Sequence, residues 1–418
     1  MKQITRFAIL TTLLVGSAYA ASQRYGALYT FECNGSQFQR SGPCPDGGRP
    51  DSLIRGSDGN FYGVAQVSME GDSAPNGGTV FSLTPSRKLK VLYTFAPGPN
   101  SDYPNGNLPG GLTEGPDGKL YGETFYGGIG GCNGYCGAGL LYRVNRDGSN
   151  FEVIHEYCSE PNCADGEFGG VLVVGSDHNI YGTTSSGGAN VCEGYPCGTI
   201  FRVTPSTGKY EVVLNFDETT GGEPSSLIVA PDHTFWGTLA VSAQGEALFH
   251  YTEATERLQS ASMHFPLVHG LPSDGGMLTL GPNGNFYGVY HVYAMSGAGL
   301  FEIHPDATDL QLFPFYTTQD GAGSPQTMLL ASDNNFWIAD YNGADGYGDI
   351  ITLSPSNGSL IQRFSIFSST DAVGAYPADL IQLQDGTLWG TTMQYGHASN
   401  GQFPDGAVFG VSVGLPHR

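Results

Sequence analysis

Short apolar runs alternate with turns rich in Gly, Asp and Asn along the chain. No stretch carries the spacing of a long amphipathic helix. One pattern recurs seven times: a small apolar segment, a turn holding Asp or Asn, then two large apolar or aromatic residues, usually followed by Gly. Ser57-Asp58-Gly59-Asn60-Phe61-Tyr62-Gly63 and Pro116-Asp117-Gly118-Lys119-Leu120-Tyr121-Gly122 are the first two instances. The second large residue is Tyr62, Tyr121, Tyr181, Trp236, Tyr287, Trp337 and Trp389 in turn, at spacings of 59, 60, 55, 51, 50 and 52 residues. All three tryptophans of the protein occupy this one position.

Each unit reads as four strands. In the second, residues 110–115 form strand A, Asp117-Gly118 a tight hairpin turn and residues 119–124 strand B. Residues 139–144 form strand C and residues 151–157 strand D. A four-stranded antiparallel repeat of about 50 residues is the signature of a propeller blade. The expected fold is therefore all-β: a seven-bladed β-propeller of four-stranded antiparallel blades. The marker aromatics should fill the seams between blades. The seventh unit supplies only three strands, the last near residues 407–413. Tyr25-Gly26-Ala27-Leu28-Tyr29-Thr30-Phe31 resembles the strand D segment Val91-Leu92-Tyr93-Thr94-Phe95, so the N-terminal strand should complete the last blade and close the ring.

The composition agrees, with 63 Gly, 25 Pro, 23 Tyr and 23 Phe against 13% charged residues. Lys2 and Arg6, an apolar run from Phe7 to Val15 and Ala18-Tyr19-Ala20 read as a signal peptide over residues 1–20. That leaves residues 21–418 as one propeller domain, secreted or periplasmic, with no membrane anchor. Eight cysteines fall as close pairs: Cys33/Cys44, Cys132/Cys136, Cys158/Cys163 and Cys192/Cys197. In an exported chain they imply disulfides. Cys-x3-Cys and Cys-x4-Cys also approach metal-ligand spacing, but no His stands at a matching distance, so no metal site is expected. The net charge of −22 argues against nucleic acid, whose phosphates need Lys and Arg.

Tyr181-Gly182-Thr183-Thr184-Ser185-Ser186-Gly187-Gly188 and Cys197-Gly198-Thr199-Ile200-Phe201-Arg202-Val203 resemble the GloVer-type tandem repeat of exported bacterial proteins. Gly390-Thr391-Thr392 and Gly78-Thr79-Val80-Phe81 fit the same pattern. Units four to six depart from it, with Gly237-Thr238-Leu239, Gly288-Val289-Tyr290 and Ile338-Ala339-Asp340. The resemblance implies a repeat propeller and export. It carries over no catalytic residue, because the family is known by its repeat.

The A–B turns are uniformly tight, whereas the D–A and B–C connections are long and carry every cysteine. Ligand binding is therefore expected on the D–A/B–C face, with loops pinned by disulfides. The starts of strands A place Arg49, Asp51, Glu223, Ser225, Asp274, Gln326, Tyr376 and Asp379 at the channel mouth. Asp51, Glu223, Asp274 and Asp379, with His291, are the candidate catalytic residues. His397 and Asp340 are similar isolated candidates. Arg49, Tyr126, Tyr135, Tyr195, Tyr290, Tyr341 and Tyr376 are the candidate ligand contacts; Tyr347 and Tyr395 lie on the same loops. Tyrosine stacks on the C–H faces of sugars and adds a hydroxyl. No nucleophile elbow, phosphate loop, zinc helix or EF-hand loop is present, so no cofactor is expected, although polar loops leave room for Ca2+. The expected ligand is a carbohydrate. A glycoside hydrolase working with the rim carboxylates is the alternative, and a polysaccharide lyase ranks below it because Arg49 is the only basic residue on the rim. A scaffold for an extracellular or envelope partner is the third reading.

Overall fold

The computed structural model describes residues 24–32, 44–66, 77–98, 103–128, 137–192, 194–241, 247–252, 257–262, 278–292, 297–306, 308–314, 325–343, 346–368, 373–394 and 404–415. The segment read as a signal peptide lies outside them. Seven antiparallel sheets follow one another along the chain, each with strand order A-B-C-D, and form a seven-bladed propeller. Blade 1 comprises Pro50–Arg55, Phe61–Ala65, Thr79–Leu83 and Leu89–Thr94. Blade 2 comprises Asn107–Glu114, Lys119–Tyr126, Leu140–Asn145 and Glu152–Glu156. Blade 3 comprises Glu167–Val174, Ile180–Ser186, Thr199–Thr204 and Lys209–Asn215. Strand A of blade 4 is broken into Gly222–Pro224 and Ile228–Val229, because Ser225 and Ser226 turn their hydroxyls onto Thr238, both at 2.8 Å. Blade 7 comprises Ala375–Gln382, Leu388–Gln394, Pro404–Ser412 and, as its fourth strand, Arg24–Glu32. The N-terminal strand pairs antiparallel with Pro404–Ser412, and Tyr29 lies opposite Val408. The ring closes as the sequence predicts.

Each A–B turn is built alike. The Asp or Asn carboxyl or amide oxygen accepts the backbone N–H two residues on, as in Asn60 N to Asp58 Oδ1 at 3.0 Å and Thr387 N to Asp385 Oδ1 at 2.9 Å. The same side chain holds the marker aromatic in several blades: the Tyr62 hydroxyl donates to Asp58 at 2.7 Å and the Tyr121 hydroxyl to Asp117 at 3.0 Å. A polar handle at this position explains why the marker is Tyr or Trp and never Phe. The rings themselves are buried in seven clusters, one per seam. Tyr62 packs with Leu112 and Leu120 of the next blade, Tyr181 with Phe235, and Trp389 with Leu53 and Phe61 across the ring closure. Each such burial stabilises by about 1.5–3 kcal/mol.

The second Thr of the Gly-Thr-Thr motif has a structural task. The hydroxyls of Thr124, Thr184 and Thr392 accept a backbone N–H of strand C, from Leu140, Thr199 and Ala407 at 3.3, 3.1 and 3.1 Å. Strands A of neighbouring blades touch one another and so converge on the axis. Among the described residues no helix is long and apolar enough to cross a membrane.

Candidate functional site

Strand A starts the same way in five blades. Arg49, Leu108, Phe168, Glu223 and Tyr376 hold left-handed φ values of 50°, 53°, 56°, 54° and 62°. Such a conformation disfavours side chains with a Cβ by roughly 1–2 kcal/mol. It persists because each residue's N–H donates to the blade before it: Arg49 to Asp405 O, Leu108 to Gly77 O, Phe168 to Ala138 O, Glu223 to Cys197 O and Tyr376 to Tyr347 O. In four cases the following proline seats on a glycine opening strand C of that blade; a Cβ on Gly78, Gly198, Gly348 or Gly406 would meet Pro109, Pro224, Pro377 or Pro50 within 3 Å. This latch sets the angle between blades. It also fixes five unlike side chains in a ring at the mouth on the D–A/B–C face.

A cavity of about 360 Å3 opens at that mouth beside blades 1 to 3, lined by Asp51, Gln66, Glu123, Tyr126, Gly110 and Gly170 among others. Gly110 and Gly170 stand where blade 1 carries Asp51, and a Cβ on Gly110 would meet nothing within 4 Å. Two successive blades without a side chain at the inward position therefore make the space.

The cavity's acids are perturbed. Burial, reinforced by the neighbouring Asp379 charge and opposed by Arg49, pushes the Asp51 carboxyl up to about 6. Burial also raises Asp379, although its Oδ2 accepts Leu53 N at 2.8 Å and its Oδ1 accepts Leu380 N at 2.7 Å. Glu123 is 3% exposed, and burial pushes its carboxyl up to about 8 against the opposing hydrogen bond that the Tyr157 hydroxyl donates to Oε1. Its Oε2 has no hydrogen-bond partner, nor has the buried hydroxyl of Tyr142. Gly169 gives the carboxyl its room, since a Cβ there would lie 2.2 Å from Glu123 Oε1. Arg49 Nε is likewise buried without a partner.

Aromatic side chains flank the cavity. Phe125 stacks on Phe168 with centroids 5.3 Å apart, and Tyr126 meets Phe125 edge-on at 4.8 Å. At the junction of blades 6 and 7, Tyr341 stacks on Tyr376 at 4.6 Å. Two disulfides brace blade 3: Cys158–Cys163 in the connection leading into it and Cys192–Cys197 in its B–C loop. Asp165 organises the first of these turns. Despite burial, hydrogen bonds from Ser159 and Glu160 hold its carboxyl below the usual range. The second closes a small hairpin whose tip carries Tyr195, 71% exposed. Such bonds belong to an oxidising compartment.

The structure brings together Arg49, Asp51 and Asp379, places Tyr126 on the cavity and joins Tyr341 to Tyr376. Glu223 and Tyr376 take their places in the left-handed ring, and Tyr195 stands apart at its hairpin tip. Tyr290 and His291 fall in strand B of blade 5, Phe286–Val292. Asp340 is fully buried at the end of strand B of blade 6, Phe336–Asp340. Cys44 is disulfide-bonded. Cys33, Cys132, Cys136, Tyr135, Asp274, Tyr395 and His397 lie outside the described residues. Sequence reasoning missed Glu123, Phe125 and Phe168. The signal for Glu123 was present: Tyr121-Gly122-Glu123-Thr124 breaks the Gly-Thr-Thr pattern in a unit that otherwise keeps it.

No curated protein matches the sequence. Among solved structures, the extracellular domain of a candidate hybrid two-component system of B. thetaiotaomicron superposes with a TM-score of 0.53 at 13% identity, over 88% of this chain. The chain spans only 40% of that protein's length, and at this identity the likeness shows the fold alone. A candidate 6-phosphogluconolactonase from Bacteroides uniformis superposes with a TM-score of 0.49 at 14% identity, covering 82% of this chain and 96% of that one. Residues 100–275, which contain blades 2 to 4, match the Gloeobacter/Verrucomicrobia repeat.

Proposed function

We propose that this is an exported propeller that binds a carbohydrate across the channel mouth on its D–A/B–C face. The carrying observation is the cavity beside blades 1 to 3, with polar Asp51, Gln66 and Glu123 in its lining and the rings of Phe125, Tyr126 and Phe168 at its flank. Aromatic faces cover the apolar C–H faces of a sugar while a few fixed polar groups orient its hydroxyls. The stacked Tyr341 and Tyr376 at another sector of the mouth suit a chain of sugars rather than a single one. Disulfides support export, and pinned loops reduce the entropy lost on binding.

Calorimetric titration with a panel of neutral and acidic oligosaccharides tests the reading. Binding that falls at least about tenfold in Phe125→Ala and Tyr126→Ala supports it. Binding that ignores both substitutions overturns it.

One observation favours cleavage as a second reading. Asp51 and Glu123 line the same cavity with pKa values displaced to different degrees, the arrangement an acid/base pair requires. Reducing-end release that is abolished in both Asp51→Asn and Glu123→Gln supports hydrolysis; binding without release removes it.

A further inference from the structure

Blade 2 departs from its neighbours at three positions. Where it carries Glu123, the other blades have Val64, Thr183, Thr238, Val289, Ala339 and Thr391, by the pairing register. Opposite Gly122 stands Tyr142, whereas Phe81, Phe201, Phe249, Phe301 and Phe409 face the corresponding glycines. Tyr157 stands where Phe95 and Phe216 stand, each donating its N–H to the glycine that opens strand C. One carboxyl and two hydroxyls thus enter blade 2: Glu123 and Tyr157 meet on its side towards blade 3, and Tyr142 lies in the seam with blade 1. Tyr157 bonds Glu123 Oε1, while Glu123 Oε2 and the Tyr142 hydroxyl are left without partners. Each buried polar group without a partner destabilises the fold by about 1–3 kcal/mol. Packing does not require them, since phenylalanine fills the same space elsewhere. Glu123 lines the cavity beside Gly169, whose missing side chain leaves room for the carboxyl.

We propose that Glu123, positioned by Tyr157, forms a hydrogen-bond-donating subsite that reads an uncharged oxygen of the ligand, a hydroxyl or ring oxygen, and selects neutral over carboxylated sugars. The inference rests on the carbohydrate reading of the cavity. A buried carboxylic acid, its other oxygen already taken by the Tyr157 hydroxyl, supplies a proton to an acceptor and no counter-charge to an anion. Asp51 in the same lining adds repulsion, and bringing an unpaired anion into such surroundings is strongly unfavourable.

The test is calorimetric binding of neutral gluco- and xylo-oligosaccharides and of uronate oligosaccharides to wild type, Glu123→Gln and Tyr157→Phe. Each is measured about one pH unit below and one above the Glu123 titration. Neutral sugars should bind wild type about tenfold more weakly on the alkaline side, where nine-tenths of the acid is ionised. Glu123→Gln should abolish that dependence. Equal affinity for uronates, or the same alkaline loss in Glu123→Gln, overturns the proposal. If no sugar binds wild type, the carbohydrate reading falls. The infrared band of a protonated carboxyl then decides the donor separately. A band present in wild type and lost in Glu123→Gln keeps the donor site for another neutral oxygen ligand. Its absence in wild type overturns the inference.

Discussion

Replacing Glu123 with Gln should stabilise the protein in a manner set by pH. The carboxyl is buried at 3% exposure and titrates at about 8, against 4.5 for an ordinary glutamate. Below the ordinary value it is protonated in both folded and unfolded chains and contributes its full stability. Between the two values it is protonated only when folded, so folding takes up a proton and stability falls as pH rises. The slope is about 1.4 kcal/mol per pH unit. By about pH 7 the loss reaches up to about 3 kcal/mol, and it levels off above the folded-state value at up to about 5 kcal/mol. The amide of Gln keeps the shape and accepts the Tyr157 hydroxyl through its oxygen, but never ionises. Guanidinium unfolding of wild type and Glu123→Gln, run from about pH 4 to pH 9, should show a gap that opens from near zero to about 3 kcal/mol at neutrality. For a domain of this size that gap corresponds to about 4 °C in Tm. A gap independent of pH, or a wild type that gains on the variant towards alkaline pH, means the folded protein holds an ionised Glu123 and refutes the reasoning.

Trp389→Ala removes a buried indole stacked on Phe61 at 4.1 Å across the ring closure. It should lower stability by about 3–5 kcal/mol in guanidinium unfolding, with faster amide exchange in Arg24–Glu32. Deleting residues 24–32 exposes the edge of Pro404–Ser412 and should convert a monodisperse protein into aggregates by light scattering. The double change Cys192→Ser and Cys197→Ser should destabilise by about 2 kcal/mol, as expected for so short a loop, and open the Val191–Pro196 hairpin to limited proteolysis. Tyr376→Gly relieves a left-handed φ of 62° but loses the stack on Tyr341. Its unfolding free energy should stay within about 1 kcal/mol of wild type, while glycan affinity falls.

The ring was legible in the sequence because its stabilising interactions repeat. Each blade needs the same Asp or Asn in the turn and an aromatic with a polar edge on the seam, so that physical demand is written out seven times with small changes, and three blades add the threonine under strand C. The face carrying the cavity was legible for a related reason: long loops and paired cysteines mark it. Side-chain direction was not. Asp379 lies on the rim as expected, yet its carboxylate is turned into the backbone of Leu53 and Leu380. Counting residues back from a marker fixes depth along a strand. It does not resolve a bulge, and the register shift between Pro377 and Asp379 is what redirects this carboxylate. Leu108 and Phe168 were missed because left-handed backbone at non-glycine residues has no compositional signature. It is imposed by the carbonyls of the preceding blade. Glu123 shows the more general point. In a repeat protein each unit serves as the control for the others, so a residue that packing does not require stands out by comparison within one chain. Glu123, Tyr142 and Tyr157 each add a polar atom where a sister blade has none or a smaller one. They do so in one blade, beside the cavity made by Gly110 and Gly170. Polar groups distributed by chance over seven equivalent blades would rarely fall together in the one beside the missing inward side chains, and a ligand that enters there accounts for both changes at once.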